Sequence, residues 1–395
     1  MRHSNDNFFA ADGKTEHIGK PVRVCHVSLT LATGGLERLL ADFARFHDAS
    51  RFEMEYVAMR EVGRFGEEIS ERGLPVFALQ ATGRVKQILE LSRHFRERAI
   101  DVVHTHNLYP HLYATIAARL AGVPVVVNTR HGQRIGHGWK SRLLYRLASY
   151  QADRIVAVSQ DAARLCTEED GVSPEKVTCI WNGIDVESFR FVGPAKEPVA
   201  IAVARLSAEK DFPTLLRAMQ NAVARVPGLK LRIVGNGPER TRIEQLCSEL
   251  SLDDHVELLG ERTDVPELLA GAAFFVSSSL SEGISLTLLE AMSVGLPVVA
   301  TAVGGNVEVV DEPNTGRLVP AGNPNALAEA IVGICRQPES WHPMGITARQ
   351  RVQHHFEIRR MVAEYEALYE KLIRQSSRTG RKTLPVRTRA ERVNV

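Results

Sequence analysis

Two glutamates in the second half of the chain, Glu282 and Glu290, have seven residues between them. If a helix begins near Ser285, Glu282 lies in the preceding loop and Glu290 about two turns farther on, roughly 12 Å along the axis. The amides of Gly283, Ile284 and Ser285 would then lie at the helix start, where hydrogen bonds and the helix dipole favour a diphosphate. The spacing suits a ligand with a sugar at one end and a ribose at the other. The alternative is a capped turn before an ordinary surface helix.

Two cations, Arg205 and Lys210, follow a predicted strand in the same half. Arginine forms paired hydrogen bonds with phosphate oxygens and lysine supplies a compact charge, so together they could neutralise a departing diphosphate. No Asp-x-Asp sequence occurs in the chain, so a metal-chelating site of that type has no obvious source. The pattern predicts a metal-independent leaving-group site, and a solvated pair of loop cations is the alternative.

Glycine-containing turns occur at the ends of predicted strands in both halves. Gly34 and Gly35 precede a predicted helix, where their amides could approach a phosphate or a sugar. Gly235 and Gly237 close a strand in the second half. For both pairs a plain turn into a helix is the alternative, and a Gly-x-Gly sequence alone is weak evidence.

Histidines end two predicted strands of the first half. His104 and His106, which precede Asn107, project to one side of their strand because side chains alternate along it. No third ligand lies nearby in sequence, which argues against zinc. For His104 we expect a hydrogen-bonded structural role. His131 ends the next strand and should point into the same crevice, with a loop-capping role as the alternative.

Short β-branched runs alternate with helical segments such as 36–46 and 86–98, which predicts an α/β fold with parallel sheets. Predicted strands of the first half are 22–28, 53–59, 76–79, 102–104, 125–129 and 155–159. Those of the second half are 200–204, 231–234, 256–258, 274–276, 298–300 and 316–319. Two such halves would place a ligand crevice between the carboxyl ends of their sheets.

The same pattern divides the chain into segments. We expect a polar extension at 1–20, a first domain at 21–190, a linker at 191–198 and a second domain at 199–355. A helix within 356–375, centred on 361–373, should pack back toward the first domain. An arginine-rich, disordered tail should occupy 376–395.

Composition excludes several classes of protein. A net charge of +2 argues against a nucleic-acid-binding protein. Five cysteines, an odd number without Cys-x-x-Cys, favour a reducing compartment over a disulfide framework. No run of eighteen apolar residues occurs, so we expect a cytoplasmic protein. The segment 138–146 mixes cations and aromatic residues as an interfacial helix does, although a solvated face is more usual.

The segment 282–305 resembles the signature of the retaining GT-B glycosyltransferases of family 4. In that family Glu-x7-Glu precedes Ala-Met-x-x-Gly-x-Pro-Val-Val-Ala-Thr and Gly-Gly, and every position is matched. The segment 204–211 is similar to the family's Gly-Arg-Leu-x-x-x-Lys-Asp, with Ala204 where glycine is usual. The resemblance covers about residues 20–370 and implies two Rossmann-like, doubly wound domains that face a central cleft.

The resemblance implies a role for each candidate residue. Glu282 would contact the donor sugar and the reacting centre, Glu290 the ribose, and His131 the region beside the donor sugar. His106 and Asn107 would line the acceptor side. The remaining donor-site candidates are Arg205 and Lys210 at the diphosphate, Arg262 in the base-binding turn, Gly34, Gly35, Gly235 and Gly237, and the helix start from Gly283 through Ile284 and Ser285 to Leu286.

The resemblance also implies an activity. A sugar would pass with retention from a nucleotide sugar, UDP- or GDP-linked, to a glycan, a lipid-linked acceptor or a small-molecule hydroxyl. No metal or other cofactor would be required, and peripheral contact with the inner membrane is compatible with a lipid-linked acceptor. Two alternatives remain open: a nucleotide-sugar 2-epimerase of the same architecture, and a non-catalytic nucleotide-sugar-binding module.

Overall fold

Two parallel β-sheets, one in each half of the chain, organise the molecule. The computed structural model describes residues 20–32, 34–132 and 138–378. The polar extension predicted at 1–20 therefore lies outside the described residues except for Lys20. The strand Val199–Val203 is a continuous apolar run and Val125–Arg130 begins with three valines, as expected where both faces of a parallel sheet are covered.

The first sheet has seven strands in the order β3-β2-β1-β4-β5-β6-β7. Their bounds are β1 Val22–Ser28, β2 Phe52–Ala58, β3 Val76–Ala78, β4 Val102–His106, β5 Val125–Arg130, β6 Arg154–Ala157 and β7 Val177–Cys179. Strand β7, which has three half-buried residues, was not predicted from the sequence. Strand β4 runs past the predicted end at residue 104, because pairing with β5 continues to His106 opposite Thr129.

The second sheet has six strands in the order β10-β9-β8-β11-β12-β13, and all six were predicted. Their bounds are β8 Val199–Val203, β9 Lys230–Val234, β10 Val256–Gly260, β11 Phe274–Ser277, β12 Val298–Thr301 and β13 Gly316–Val319. In both sheets the strand order reverses direction beside the first strand of the half. That reversal is the point where doubly wound folds leave a crevice for ligands.

Helices connect the strands. In the first half they are α1 Gly35–Phe46, α2 Gly63–Glu71, α3 Arg84–Glu97, α4 Leu108–Ala121, α5 Trp139–Gln151 and α6 Gln160–Glu168. In the second half they are α7 Phe212–Val223, α8 Arg240–Glu249, α9 Val265–Ala270, α10 Leu286–Val294, α11 Asn306–Val309, α12 Pro324–Cys335, α13 Trp341–His355 and α14 Ile358–Arg378. None of the described helices is both long enough and apolar enough to cross a bilayer.

The last helix, α14, returns to the first half. It packs against α1 and β5, and its Tyr365 and Tyr369 are fully buried there. The tail was predicted to begin at residue 376, but the helix continues to Arg378. These last residues of the helix are stabilised because Ser376 is buried and its hydroxyl donates to the Pro124 carbonyl. Residues 379–395, the rest of the predicted tail, lie outside the described residues.

The predicted linker, 191–198, contains no helix or strand. It follows the surface of the second half, where the amides of Val192 and Gly193 donate to the carbonyl of Val294 and the amide of Ala195 to that of Ala272. The connection between the two sheets is therefore attached to the second half by backbone hydrogen bonds.

Candidate functional site

The centre of the candidate site is an ion pair between two predicted residues. Lys210 Nζ lies 2.6 Å from Glu282 Oε1, and the Ser279 hydroxyl donates to the same oxygen over 2.7 Å. The side chains of Lys210 and Glu282 are 22% and 10% exposed. They line a small hollow at the carboxyl ends of β8 and β11. A cation and a carboxylate are thus held together beside the crevice.

The start of α10 lies next to this pair and has the predicted position. Ser285 is the residue before the helix, and its hydroxyl accepts the Leu288 amide over 3.4 Å. The first amides of a helix have no partner within it, so those of Leu286 and Thr287 are available to an anion. Both Ser285 and Thr287 line the same hollow as Glu282.

Gly283 joins this helix start to the first half of the chain. A Cβ at Gly283 would lie 2.4 Å from the carbonyl oxygen of His131 and 2.9 Å from Val158 Cγ2, so only glycine fits. The Gly283 carbonyl in turn accepts the Gly305 amide over 2.7 Å. The close contact brings the loop of Glu282 beside the end of β5, where His131 was predicted to act.

Glu290 lies about one turn into α10 and is buried. Burial raises its pKa to about 7, while the positive charge of Arg38 opposes the rise and the carboxyl of Asp42 adds to it. Burial also raises the pKa of Asp42, to about 6. Arg38 and Asp42 belong to α1, so Glu290 faces the first half of the molecule. The sequence analysis gave these two α1 residues no role at the site.

Three histidines form a hydrogen-bonded row beneath the end of β5. His131 Nε2 lies 3.0 Å from His106 Nδ1, and His106 Nε2 lies 3.1 Å from His26 Nδ1. Burial lowers the pKa of His26 and that of His131 to about 3, and that of His106 well below its usual value. The sequence analysis missed His26, which gives no signal alone in β1; the register between β1 and β4 places it opposite His104.

His104 has the structural role that was expected. Its Nδ1 lies 2.6 Å from the Tyr369 hydroxyl and its Nε2 lies 2.7 Å from Thr129 Oγ1, which also contacts the Tyr365 hydroxyl. The argument against zinc needs correction, because the fold places the nitrogens of His26, His104 and His106 within 4.8 Å of one another. Both nitrogens of His104 are nevertheless engaged by hydroxyl groups.

The other two predicted cations do not line the hollow. Arg205 is exposed, whereas its neighbours Val203 and Ala204 line the hollow. Arg262 is also exposed, and both of its hydrogen bonds go to Asp264, at 2.7 and 2.6 Å. Asn107 lies before α4 with a φ of 62°, and its side-chain oxygen accepts the amide of His131 over 3.3 Å.

Two of the four predicted turn glycines, Gly235 and Gly237, lie at close backbone contacts. A Cβ at Gly235 would lie 2.0 Å from the Ala204 carbonyl oxygen, and one at Gly237 would lie 2.3 Å from that of Leu206. These two glycines support the loop that carries Arg205. Gly34 has a φ of +146°, and a Cβ on Gly35 would touch Leu286 of α10 at 3.4 Å. The Gly34-Gly35 turn therefore faces the helix start predicted to hold the diphosphate.

Glu308, which the sequence analysis gave no role, connects the two halves. Its carboxylate accepts the amides of Gln160 and Asp161 at the start of α6, over 3.0 and 3.2 Å, and the indole N–H of Trp181 over 2.7 Å. A carboxylate is stabilised at a helix N-terminus by the helix dipole. The only sequence signal was the proximity of Glu308 to the Gly-Gly pair at 304–305.

Comparisons with known proteins identify the family to which the chain is related. The family model described as "Glycosyltransferase Family 4" matches residues 33–188, and "Glycosyl transferases group 1" matches residues 185–351. The N-acetyl-alpha-D-glucosaminyl L-malate synthase of Bacillus anthracis is 30% identical over 70% of this chain and 76% of its own length. The Escherichia coli UDP-Gal:alpha-D-GlcNAc-diphosphoundecaprenol alpha-1,3-galactosyltransferase is 25% identical over 88% of this chain and 96% of its own length.

The fold also matches that of a solved structure. The crystal structure of Anabaena Alr3699/HepE in complex with UDP and glucose superposes with a TM-score of 0.79, covering 89% of this chain and all of that one, at 20% identity. That likeness supports the GT-B architecture. Together with the family models and the 30% identical relative, it leads to one conclusion: the chain belongs to family 4 of the glycosyltransferases.

Proposed function

We propose that this protein transfers a sugar, with retention of its anomeric configuration and without a metal, from a UDP- or GDP-sugar to a lipid-linked acceptor. The observation that carries the proposal is the contact of Lys210 and Ser279 with Glu282 beside the start of α10. It supplies a cation, a carboxylate and helix-terminal amides in one place. We assign the donor to residues 199–355 and the acceptor to residues 21–190.

The donor would lie along α10. Its diphosphate would meet the amides from Gly283 to Leu286 at the start of the helix, with Lys210 as the neighbouring cation. The donor sugar would contact Glu282, and the ribose would contact Glu290. Arg205 is exposed and could turn toward the diphosphate, whereas Arg262 would have to leave Asp264 in order to reach the base.

The chemical step needs no protein nucleophile. The bond from the anomeric carbon to the diphosphate oxygen breaks, and the acceptor hydroxyl forms the new bond on the same face of the sugar. The acceptor proton passes to the departing phosphate oxygen, so the charges balance. Lys210 and the amide dipoles stabilise the negative charge that develops on the diphosphate, and no metal is needed for that task.

A surface of the first half is suited to a membrane-bound acceptor. Trp139, Leu143, Leu147 and Tyr150 form an exposed stripe along one face of α5, and Trp139 is 69% exposed. The adjoining helix α4, against which α5 packs, exposes Tyr109, Ile116 and Leu120. Basic residues accompany the stripe, notably Lys140 and Arg142, as in helices that lie on anionic bilayers. We propose peripheral contact with the cytoplasmic face of the membrane through this surface.

The named relatives support the acceptor class. The Escherichia coli relative is named for a diphosphoundecaprenol acceptor and a UDP-sugar donor. The Bacillus anthracis relative is named for an L-malate acceptor. A small hydroxy acid is therefore the second acceptor class to be tested.

The test combines a panel of UDP- and GDP-sugars with polyprenyl-diphosphate-linked glycans and with malate, in the presence of EDTA. We expect transfer with one donor, a product with the donor's anomeric configuration by NMR, and no loss of rate in EDTA. Glu282→Gln should abolish turnover, whereas Glu329→Gln, on the exposed ion pair with Arg225, should not.

Four outcomes would contradict the proposal. An inverted product would overturn the retaining mechanism, and loss of activity in EDTA would overturn metal independence. Interconversion of two nucleotide sugars without an acceptor would favour the 2-epimerase. Tight donor binding with no turnover in any combination would favour the non-catalytic module.

A further inference from the structure

The row of imidazoles from His26 through His106 to His131 has two different ends. At the inner end, His26 is 1% exposed and its Nε2 has no hydrogen-bond partner among the described residues. The rings of Phe43, Tyr56 and His104 surround it at centroid distances of 4.9 to 5.1 Å. At the outer end, His131 is partly exposed beside Gly283.

The number of protons in this row follows from the pKa values of its three rings. Burial lowers the pKa of all three imidazoles far below neutrality, so each ring carries one N–H. Each of the two hydrogen bonds uses one donor and one acceptor. Only two arrangements satisfy both contacts: every ring is protonated on Nδ1, or every ring is protonated on Nε2.

The environment of His26 separates the two arrangements. Protonation on Nε2 throughout would leave the His26 Nε2–H buried among aromatic rings without an acceptor. A buried donor without a partner costs about 1–3 kcal/mol, and such N–H groups are rarer in folded proteins than under-satisfied acceptors. Protonation on Nδ1 throughout avoids the orphaned donor. It leaves only a lone pair on His26 Nε2 and places an N–H on His131, at the partly exposed end.

We propose that His26 and His106 hold His131 as its Nδ1–H tautomer, which makes His131 a neutral hydrogen-bond donor at the candidate site. His26 and His106 are positioning residues in this arrangement, since they act through His131. The tautomer itself does not depend on the proposed function. That the acceptor of this N–H is an oxygen of the bound donor sugar or diphosphate does rest on the proposed function.

A metal at the same cluster is the competing interpretation, because the nitrogens of His26, His104 and His106 lie within 4.8 Å of one another. The hydrogen bonds of the cluster favour the proton arrangement. His104 uses both nitrogens on hydroxyl groups, and His26 Nδ1 and His106 Nε2 are bonded to each other. A metal bound by all three rings would have to displace at least one hydroxyl contact of His104 and one of the two hydrogen bonds of His106.

The experiment records long-range ¹H–¹⁵N NMR spectra of the full chain labelled with ¹⁵N-histidine, without substrate at neutral pH. The imidazole signals of the 14 histidines are assigned by single substitutions. Protonated, unprotonated and metal-bound ring nitrogens have distinct shifts. We expect His26, His106 and His131 to be neutral and protonated on Nδ1. A His131 protonated on Nε2, a charged ring in the row, or a metal-type shift on added Zn²⁺ would overturn the proposal.

Two substitutions at one position test the coupling. In His106→Asn the amide nitrogen can occupy the place of Nδ1 and donate to His131, so His131 should keep its tautomer. In His106→Gln the amide reaches only the place of Nε2, so His131 should become a mixture of tautomers. His111→Asn is the matched control, because His111 is equally buried but bonds to Thr105 and Ser149 on the opposite face of β4. An unchanged His131 tautomer in a folded His106→Gln variant would also overturn the proposal.

Activity provides a second, separable readout. If the proposed function holds, kcat should fall about tenfold in His106→Gln, by the net effect of one hydrogen bond, and by less in His106→Asn, while the control His111→Asn should leave kcat nearly unchanged. A mere packing defect would instead lower the melting temperature of all three variants. If no glycosyl transfer is found, the NMR result still decides the tautomer.

Discussion

The two halves of the molecule prepare their faces of the site in different ways. The second half holds charges in contact, with Lys210 paired to Glu282 at 2.6 Å and partly open to solvent. The first half holds neutral imidazoles in a buried row, in which desolvation lowers the pKa of each ring. The face of the second half therefore acts through charge, and the face of the first half acts through the orientation of its hydrogen bonds.

The difference corresponds to what each face would contact. A diphosphate carries charge that changes during the reaction, and a compact cation beside helix amides is suited to it. Sugar and acceptor hydroxyls are neutral, and they need donors and acceptors of fixed orientation. Charge on the histidine face would attract the diphosphate away from the second half. Burial of the imidazoles lowers their pKa and so keeps this face uncharged.

The largest effect should follow from removing the cation of the second half. We expect Lys210→Ala to lower kcat/KM about 10²- to 10³-fold, the range found when one preorganised donor to a developing anion is lost. Steady-state assays with the transferred donor measure it. Lys230→Ala, at the exposed start of β9, is the matched control. If His131→Asn were to cost more than Lys210→Ala, the division between an electrostatic face and a directional face would be wrong.

The second effect concerns Glu290, the buried acid of the second half that faces α1. Its folded-state pKa is raised to about 7 from an ordinary value of 4.5. Its protonated form therefore stabilises the fold below pH 4.5, and this contribution is lost as the pH rises through 7. The free energy of unfolding of the native protein should fall relative to Glu290→Gln by up to about 3 kcal/mol over that window.

Urea titrations of the native protein and Glu290→Gln between pH 4.5 and 8 measure this difference. Asp42→Asn is the companion variant, because burial raises the pKa of Asp42 to about 6 and its contribution has the same sign. If the difference in unfolding free energy between the native protein and Glu290→Gln stays constant with pH, Glu290 is already ionised in the folded protein and its charge is balanced by neighbouring groups.

A smaller loss of stability should follow from weakening the contact of Glu308 with the first half of the molecule. Glu308→Gln replaces a charged acceptor at the start of α6, and we expect the free energy of unfolding to fall by about 2 kcal/mol. Denaturant unfolding measures the change. Trp181→Phe removes one of the three hydrogen bonds to Glu308 and should cost less. If the free energy of unfolding fell equally in the two variants, the cause would be lost packing around Trp181 and not a weakened contact with the start of α6.

The smallest effect should come from the outer surface of the first half, where charges are exposed. Removing Lys140 or Arg142 should weaken binding to anionic vesicles about fivefold each, since a cation near such a surface contributes about 1 kcal/mol. Sedimentation with vesicles measures this. Lys86→Ala, on α3, is the control. If Lys86→Ala weakens binding as much, net charge and not the α5 surface determines membrane contact.

The sequence was sufficient to predict the fold class and the α10 segment. Alternation of apolar strands and helices depends on local periodicity, so six of seven strands in the first sheet and all six in the second were predicted. Glu282, Gly283 and Ser285 occupy one contiguous segment, so their arrangement around the helix start follows from helix geometry alone. The extent of α14 was underestimated, because burial of Ser376 against the first sheet is a long-range contact.

Contacts between distant segments depended on the tertiary structure. His26 joins His106 across 80 residues and Lys210 joins Glu282 across 72, and no local pattern encodes such pairs. The sequence indicated that Lys210 and Glu282 belonged to one site, but not that they touch. It gave no reason to consider His26 at all. Residue types and local periodicity determined the elements and their chemistry, whereas strand register and burial decided which side chains meet and which stay uncharged.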